Sequence, residues 1–200
     1  MTQLNKRFDH LDIIMASRSS RRHALLRQLD IKFRITPLDF DESFSDNLKV
    51  EDVAQYISHN KATSFPLDRM KKNTLVITAD TIVAVDSIIL GKPCNEAEAK
   101  DMLRLLSNRT HQVITGVSLR SLEATNSFSA ITKVKFKELS EDEIEYYVEE
   151  YQPYDKAGGY GIQEWIGKIG VEWIEGSFYN VMGLPIQKLY QEMCNFTPKY

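Results

Sequence analysis

Arg18, Arg21 and Arg22 stand among Ser17, Ser19 and Ser20, directly after the apolar run Ile13-Ile14-Met15-Ala16. Hydroxyls and guanidinium forks at a helix start form a chemistry for holding phosphate. The first N–H groups of a helix lack intrahelical partners and carry partial positive charge, so anions settle there. Guanidinium forks match phosphate oxygens. The same residues also suit a capped helix with a solvated basic first turn. Basic residues at a helix start oppose the dipole, and that mismatch points to an anion between them. Other reactive types stand at the ends of apolar runs. Asp80 follows Leu75–Thr78, where a carboxylate can bind a metal, take a proton from water, or cap a turn. Asp39, Asp41 and Glu42 form an acidic loop of hard oxygen donors that suits magnesium or manganese, or only water. Lys92 is held between Gly91 and Pro93. Gly158, Gly159 and Gly161 allow close backbone approach to a ligand, or a mobile loop.

Taken together these parts describe one ligand. Arg21, Arg22, Lys61 and Lys92 supply four positive charges, close to what a nucleoside triphosphate neutralises, and Asp80 and Glu42 suit a divalent ion. Phosphoryl and nucleotidyl transfer is mostly positioning and charge neutralisation. The Gly-x-x-x-x-Gly-Lys-Ser/Thr, Gly-x-Gly-x-x-Gly and Gly-x-Ser-x-Gly patterns of other nucleotide and acyl-transfer sites are absent. His59 and His111 have no partners at metal-like spacing and read as structural, and Trp165 and Trp173 as packing residues.

The elements that must position these groups follow from hydrophobic periodicity. A buried strand is expected over 11–16. A helix over 19–29 has the stripe Leu25, Leu26 and Leu29, and Arg22 falls on that stripe, facing inward. A second strand spans Ile31 to Thr36. A helix over about 50–66 carries Val53, Ile57 and Phe65, with Lys61 filling the gap; such a lysine either snorkels or meets an anion. Leu75–Thr78 is a strand ending at Ala79-Asp80-Thr81, and Ile82–Val85 with Ile88–Leu90 make a hairpin at Asp86-Ser87. Asn95 caps a helix with Glu98 as a weak capping box, and Ser140 with Glu143 is a proper one. Residues 111–120 and 126–137 alternate as two long strands, and 168–175 is another. Pro185 opens a last helix with the stripe Ile186, Leu189, Tyr190 and Met193. The pattern is mixed α/β, helices on a long, largely antiparallel sheet.

The 200 residues, 42% hydrophobic and 26% charged, suit one domain with a sizeable core. Residues 1–10 read as a polar N-terminal extension and 11–195 as the domain. A net charge of -3 argues against a general nucleic-acid or anionic-membrane binder. Cys94 and Cys194 lack metal-like spacing and fit free thiols in a reducing cytosol. No signal-like or membrane-spanning run is read, which favours the cytoplasm.

The order of segments resembles the Maf family of nucleoside triphosphate pyrophosphatases over about residues 11–193. The resemblance is carried by Ala16-Ser17-Arg18-Ser19-Ser20-Arg21-Arg22, Leu25-Leu26, Asp41-Glu42, Lys61-Ala62, Ala79-Asp80-Thr81, Leu90-Gly91-Lys92-Pro93 and Thr115-Gly116-Val117. It continues through Asp155-Lys156-Ala157-Gly158-Gly159-Tyr160-Gly161-Ile162-Gln163 and Asn180-Val181-Met182-Gly183-Leu184-Pro185. It implies a two-lobed fold like that of inosine triphosphatase with a central cleft, a divalent metal cofactor (Mg2+ or Mn2+), and hydrolysis of a triphosphate to monophosphate and pyrophosphate. Asp80 matches the family's catalytic acidic residue, which would activate the attacking water directly or through the metal, and Ser17, Arg22, Lys61 and Lys92 match phosphate-binding positions. Glu42 matches an acidic position near the metal, which Asp80 would share. Arg21, Thr81 and Gln163 match specificity positions of the dTTP/UTP branch; a glutamine can donate to and accept from a pyrimidine edge. A homodimer is compatible with this fold. Two departures, Ser20 for Pro and Asn108 for Gly, bear on loop geometry. The alternatives are a pyrophosphatase for 7-methyl-GTP or other modified nucleotides, and a nucleotide-binding regulator of septum formation.

Overall fold

The computed structural model describes residues 6–45 and 47–196. The elements in chain order are β1 (Asp12–Met15), α1 (Ser20–Arg27), β2 (Arg34–Ile35), α2 (Val50–Thr63), β3 (Thr74–Val85), β4 (Ile88–Leu90) and α3 (Glu96–Leu106). They continue with β5 (Thr110–Arg120), β6 (Thr125–Phe136), α4 (Glu141–Tyr151), α5 (Trp165–Gly170), β7 (Val171–Glu175), α6 (Phe178–Val181) and α7 (Ile186–Asn195). The seven strands make one sheet in the order β2-β1-β3-β5-β6-β7, with β4 paired to β3. β1 runs parallel to β2 and β3, whereas β3–β4 and β6–β7 are antiparallel. The expected mixed α/β class is therefore observed. Among the described residues no helix is long and apolar enough to cross a membrane, and Cys94 and Cys194 form no disulfide.

The chain divides into two compact units. The first takes its residues from Met1–Asp80, Thr115–Ala130 and Gly183–Tyr200, and the second from Thr81–Ile114 and Ile131–Met182. In the first unit, α1 buries Leu25 and Leu26 and α2 buries Val53, Ala54, Ile57, Ser58 and Ala62. Ile14, Ala16, Phe65, Met70 and Val76 form a core cluster there. Within the segment expected as an extension, residues 1–5 lie outside the described residues, and Phe8 is buried with its ring edge-on to Tyr190.

The second unit is built round Leu103, Leu106, Val134, Phe136, Ile144, Tyr147 and Val148. Its helices begin as the caps predict. Asn95 accepts from the Glu98 N–H at 2.9 Å, while Glu98 reaches back to the Cys94 N–H at 2.7 Å, one residue further than in a standard box. Ser140 and Glu143 make both bonds of a full capping box. Buried Asn180 of α6 donates to the Val113 carbonyl at 3.0 Å and to Thr132 Oγ1 at 2.9 Å, tying α6 to β5 and β6.

Three expectations are corrected. The strand expected to end at Thr78 runs unbroken through Asp80 and Thr81 to Val85, because Thr78 and Asp80 find polar partners on α2. The strand expected over 31–36 shrinks to Arg34–Ile35. Lys168–Gly170, expected as strand, belongs to helix α5, and the strand starts at Val171.

Candidate active site

The loop from β1 into α1 carries the serines and arginines. Ser19 caps α1 by accepting from the Arg22 N–H at 3.4 Å. Ser17 is buried, and its hydroxyl accepts from the Ser19 N–H at 3.2 Å. His23 Nε2 lies 2.8 Å from the Ser17 carbonyl, so the first turn of α1 folds back over the loop. The inward-facing Arg22 spans three acceptors: Nε donates to the Gly183 carbonyl at 2.8 Å, and Nη1 to the Ala79 carbonyl at 2.9 Å and Ser17 Oγ at 3.4 Å. Burial pushes the Arg22 guanidinium down from its ordinary value, with Asp80 opposing, Arg21 adding to the fall and Glu42 opposing. Arginine remains charged regardless, so one permanent cation is fixed by backbone carbonyls within the field of two carboxylates. Arg21, next along the helix, is half-buried.

Lys61 is the other centre. Its ammonium donates to Glu42 Oε1 at 2.6 Å and to Asp80 Oδ1 at 2.7 Å. The Lys61 and Asp80 side chains are each 11% exposed and Glu42 49%. Removing one member of such a pair would leave an uncompensated charge in a poorly hydrated place. The lysine expected to snorkel or meet an anion thus meets the protein's own carboxylates.

Its helix is held from two sides. Thr78 Oγ1 donates to the Ser58 carbonyl at 2.7 Å, and residues two apart on a strand share a face. Thr78–Ser58 and Asp80–Lys61 are therefore successive rungs between β3 and α2. On β5, a β-carbon added at Gly116 would collide with the Ala54 carbonyl and the Gln55 nitrogen, so glycine there lets α2 lie directly on the sheet. Arg120 Nη1 then donates to the carbonyls of Ala62 at 2.5 Å and Phe65 at 3.1 Å, satisfying the end of α2.

Of the acidic loop, only Glu42 joins this group. Asp39 pairs with Arg18, and Asp41 accepts from the N–H and hydroxyl of Ser43, both at 3.0 Å. Among the described residues no three His, Cys, Asp or Glu side chains cluster as a metal cage. Glu42 and Asp80 close on the Lys61 ammonium, and they are hard oxygen donors of the kind that, with phosphate oxygens, can hold a divalent cation.

The remaining predicted residues belong to the second unit. Thr81 is half-buried on β3. Lys92 is exposed, next to Gly91, whose carbonyl accepts from the Gly158 N–H at 2.9 Å. Gly158 and Gly159 take φ of 71° and 69°, so backbone conformation accounts for these glycines. Gln163 is half-buried and lines an apolar groove of about 360 Å³ with Gly167, Trp173, Ile174 and Phe178. Trp165 packs edge-on against Tyr146. Trp173, expected as a packing residue, is 44% exposed on β7. Buried His111 lies 2.7 Å from the Tyr160 hydroxyl, and His59 3.1 Å from Ser127 Oγ, both in structural roles. The structure thus joins Arg22 to Ser17 and Lys61 to Glu42 and Asp80 by hydrogen bonds, and the two sets meet through the charges of Asp80 and Glu42 acting on Arg22. Periodicity missed His23 and the carbonyls of Ala79 and Gly183, because a backbone acceptor carries no residue-type signal.

A mixed α/β protein in which a half-buried arginine and a lysine lie with two carboxylates beside a capped helix start is of the class that handles phosphorylated ligands. The family model described as Maf-like protein matches residues 12–196, and the chain belongs to the Maf family. A relative named dTTP/UTP pyrophosphatase from Phocaeicola vulgatus is 53% identical over 182 residues, covering 90% of this chain and 94% of that protein. Proteins of the same name from Parabacteroides distasonis and Bacteroides thetaiotaomicron are each 51% identical, covering 92% of this chain and 95% and 96% of theirs. The Ham1 protein of Staphylococcus aureus is a remoter likeness, with a TM-score of 0.41 and 16% identity over 62% of this chain and 71% of that one.

Proposed function

We propose that this chain is a nucleoside triphosphate pyrophosphatase that hydrolyses dTTP and UTP to the monophosphate and pyrophosphate. The observation that carries the reading is the Asp80–Lys61–Glu42 group beside the pinned Arg22 fork, in a chain about half identical to proteins of that name. Asp80 accepts the proton of the water that attacks the α-phosphorus. The new P–O bond forms as the α–β anhydride bond breaks, and pyrophosphate leaves. Lys61 orients the Asp80 carboxylate, while Arg22 and Ser17 hold phosphate oxygens, with Lys92 a further phosphate ligand. Arg21, Thr81 and Gln163 select the base. Glu42 and Asp80 would hold a divalent cation, magnesium or manganese, which supplies charge neutralisation on the triphosphate when bound.

The test is product identity. The protein incubated with UTP and magnesium or manganese should release UMP and pyrophosphate, and orthophosphate with UDP would sink the mechanism. Asp80→Asn should lower turnover by about 10²- to 10⁴-fold, the usual contribution of a general base, while the folded state persists. Full turnover in that variant would remove Asp80 from the role.

A further inference from the structure

We propose that Ser58, Ser118 and Ser127 are positioning residues for Lys61, forming with His59 a one-way chain of hydrogen bonds that sets helix α2 on strands β5 and β6; this rests on the proposed role of Lys61 in orienting Asp80. Ser58 and Ser118 are fully buried. Ser58 Oγ donates to the Gln55 carbonyl at 2.9 Å. A hydroxyl has one proton to give, so across the 3.1 Å contact between Ser58 and Ser118 it is Ser118 that donates. The Ser118 proton is then committed, and Ser127 donates to Ser118 at 2.8 Å. That commits the Ser127 proton in turn. His59 Nδ1, 3.1 Å from Ser127 Oγ, must therefore carry hydrogen and donate. Reversing every hydroxyl would keep the three contacts between side chains and lose the bond to Gln55. The chain thus makes four bonds in this direction and three in the other. The Gln55 amide adds a bond to the Ser127 carbonyl at 3.4 Å.

The chain ends close to Lys61. Ser58 precedes that lysine by three residues, and residues at this spacing are neighbours on a helix surface. The Ser58 hydroxyl takes the bond from Ser118 on β5, while the Ser58 carbonyl takes that of Thr78 on β3 at 2.7 Å, two residues before Asp80. One residue of α2 is thus tied to two strands, and one of them carries Asp80. Buried hydroxyls are costly unless paired, and small apolar side chains would fill the same space. A fully paired polar network instead specifies one arrangement of the elements it joins. Here that arrangement sets the Lys61 ammonium 2.7 Å from Asp80 Oδ1. Arg22 and Ser17, the phosphate ligands of the proposed reaction, lie outside α2. The chain therefore bears on the base that activates water and not on phosphate binding.

The experiment measures kcat and KM for UTP in the wild type, Ser118→Ala, Ser127→Ala, Ser127→Thr and Lys61→Met. Nitrogen NMR reads the His59 tautomer in parallel at about pH 8, above the ordinary histidine range. The wild type should carry hydrogen on His59 Nδ1. Ser118→Ala frees the Ser127 proton to face the ring, which should move toward the Nε2–H form. Ser118→Ala and Ser127→Ala should each lower kcat about tenfold, near the worth of one lost hydrogen bond, with KM held within about twofold. Ser127→Thr keeps the hydroxyl and should keep the wild-type tautomer and kcat. The chain loses this role if the wild-type ring carries its hydrogen on Nε2, or if the two alanine variants keep kcat while Lys61→Met loses it. A rise in KM matching the fall in kcat would also overturn it. If Lys61→Met itself keeps wild-type turnover, the orienting role of Lys61 fails and takes the inference with it. A wild type inactive on UTP would end the functional reading, while the tautomer, read without turnover, would still decide the chain. Ser127 is half-buried, so a folding defect in Ser118→Ala leaves the two Ser127 variants to decide.

Discussion

Arg22 donates to acceptors contributed from three places in the chain, Ser17, Ala79 and Gly183. That use depends on a planar fork with donors in fixed directions, which lysine lacks. Arg22→Lys keeps the charge and loses the fork. Each charged hydrogen bond is worth about 1.5–3 kcal/mol, so the variant should lose activity on UTP and dTTP alike and unfold at a lower denaturant concentration. Arg21 does not share the inward stripe. Arg21→Ala should instead alter the ratio between nucleotides, measured as kcat/KM across a panel. A uniform loss from Arg21→Ala, or a selective one from Arg22→Lys, would exchange their roles. The inward stripe that Arg22 shares with Leu25 was legible from spacing alone. Its partner at Gly183, far along the chain, was not, because an arginine gives no sign of which carbonyl will receive it.

Helix α2 carries Lys61, and its seat on the sheet decides where that ammonium sits. Gly116 on β5 has the Ala54 carbonyl where a side chain would be. Gly116→Ala must push backbone against backbone, and overpacking of this kind costs about 1–3 kcal/mol or more. The denaturation midpoint should fall, and activity should fall further than stability alone explains, since Lys61 moves with its helix. A variant with wild-type stability and turnover would show that the close approach serves neither. The lysine's role could be suspected from the sequence, because a charge on the Val53, Ile57 and Phe65 stripe needs a reason. The course of β3 could not: Asp80 and Thr81 interrupt an apolar run, and only burial against Lys61 and Ser58 lets the strand continue through them. Helix α5 was hidden for a related reason. Gly167 and Gly170 spoil its periodicity, and a β-carbon at Gly167 would meet the Ile162 carbonyl, a contact set by packing.

At the scale of the whole molecule, stability should depend on pH through one buried ring. His111 sits among Phe136 and Tyr160 with its Nε2 on the Tyr160 hydroxyl, and its Nδ1 has no partner among the described residues. Burial pushes its pKa from the ordinary 6.5 down to about 4. Between those values the unfolded chain binds a proton that the folded chain refuses. Stability is therefore fully present above the unfolded value and is lost as pH falls toward the folded one. The loss is on the order of 3 kcal/mol at most, at about 1.36 kcal/mol per pH unit between the two values. Carboxylates follow in a lower window. Glu143, for example, is held below its ordinary 4.5 chiefly by its hydrogen bond from Lys137, and its stabilising effect disappears only as pH falls through that lower range. Urea unfolding at about pH 7.5 and about pH 5 separates the two effects. The midpoint should drop appreciably in the wild type and much less in His111→Gln, which keeps a polar partner for Tyr160 and has no charge to take up. An equal drop in both proteins would assign the pH dependence to other groups and leave His111 as packing alone.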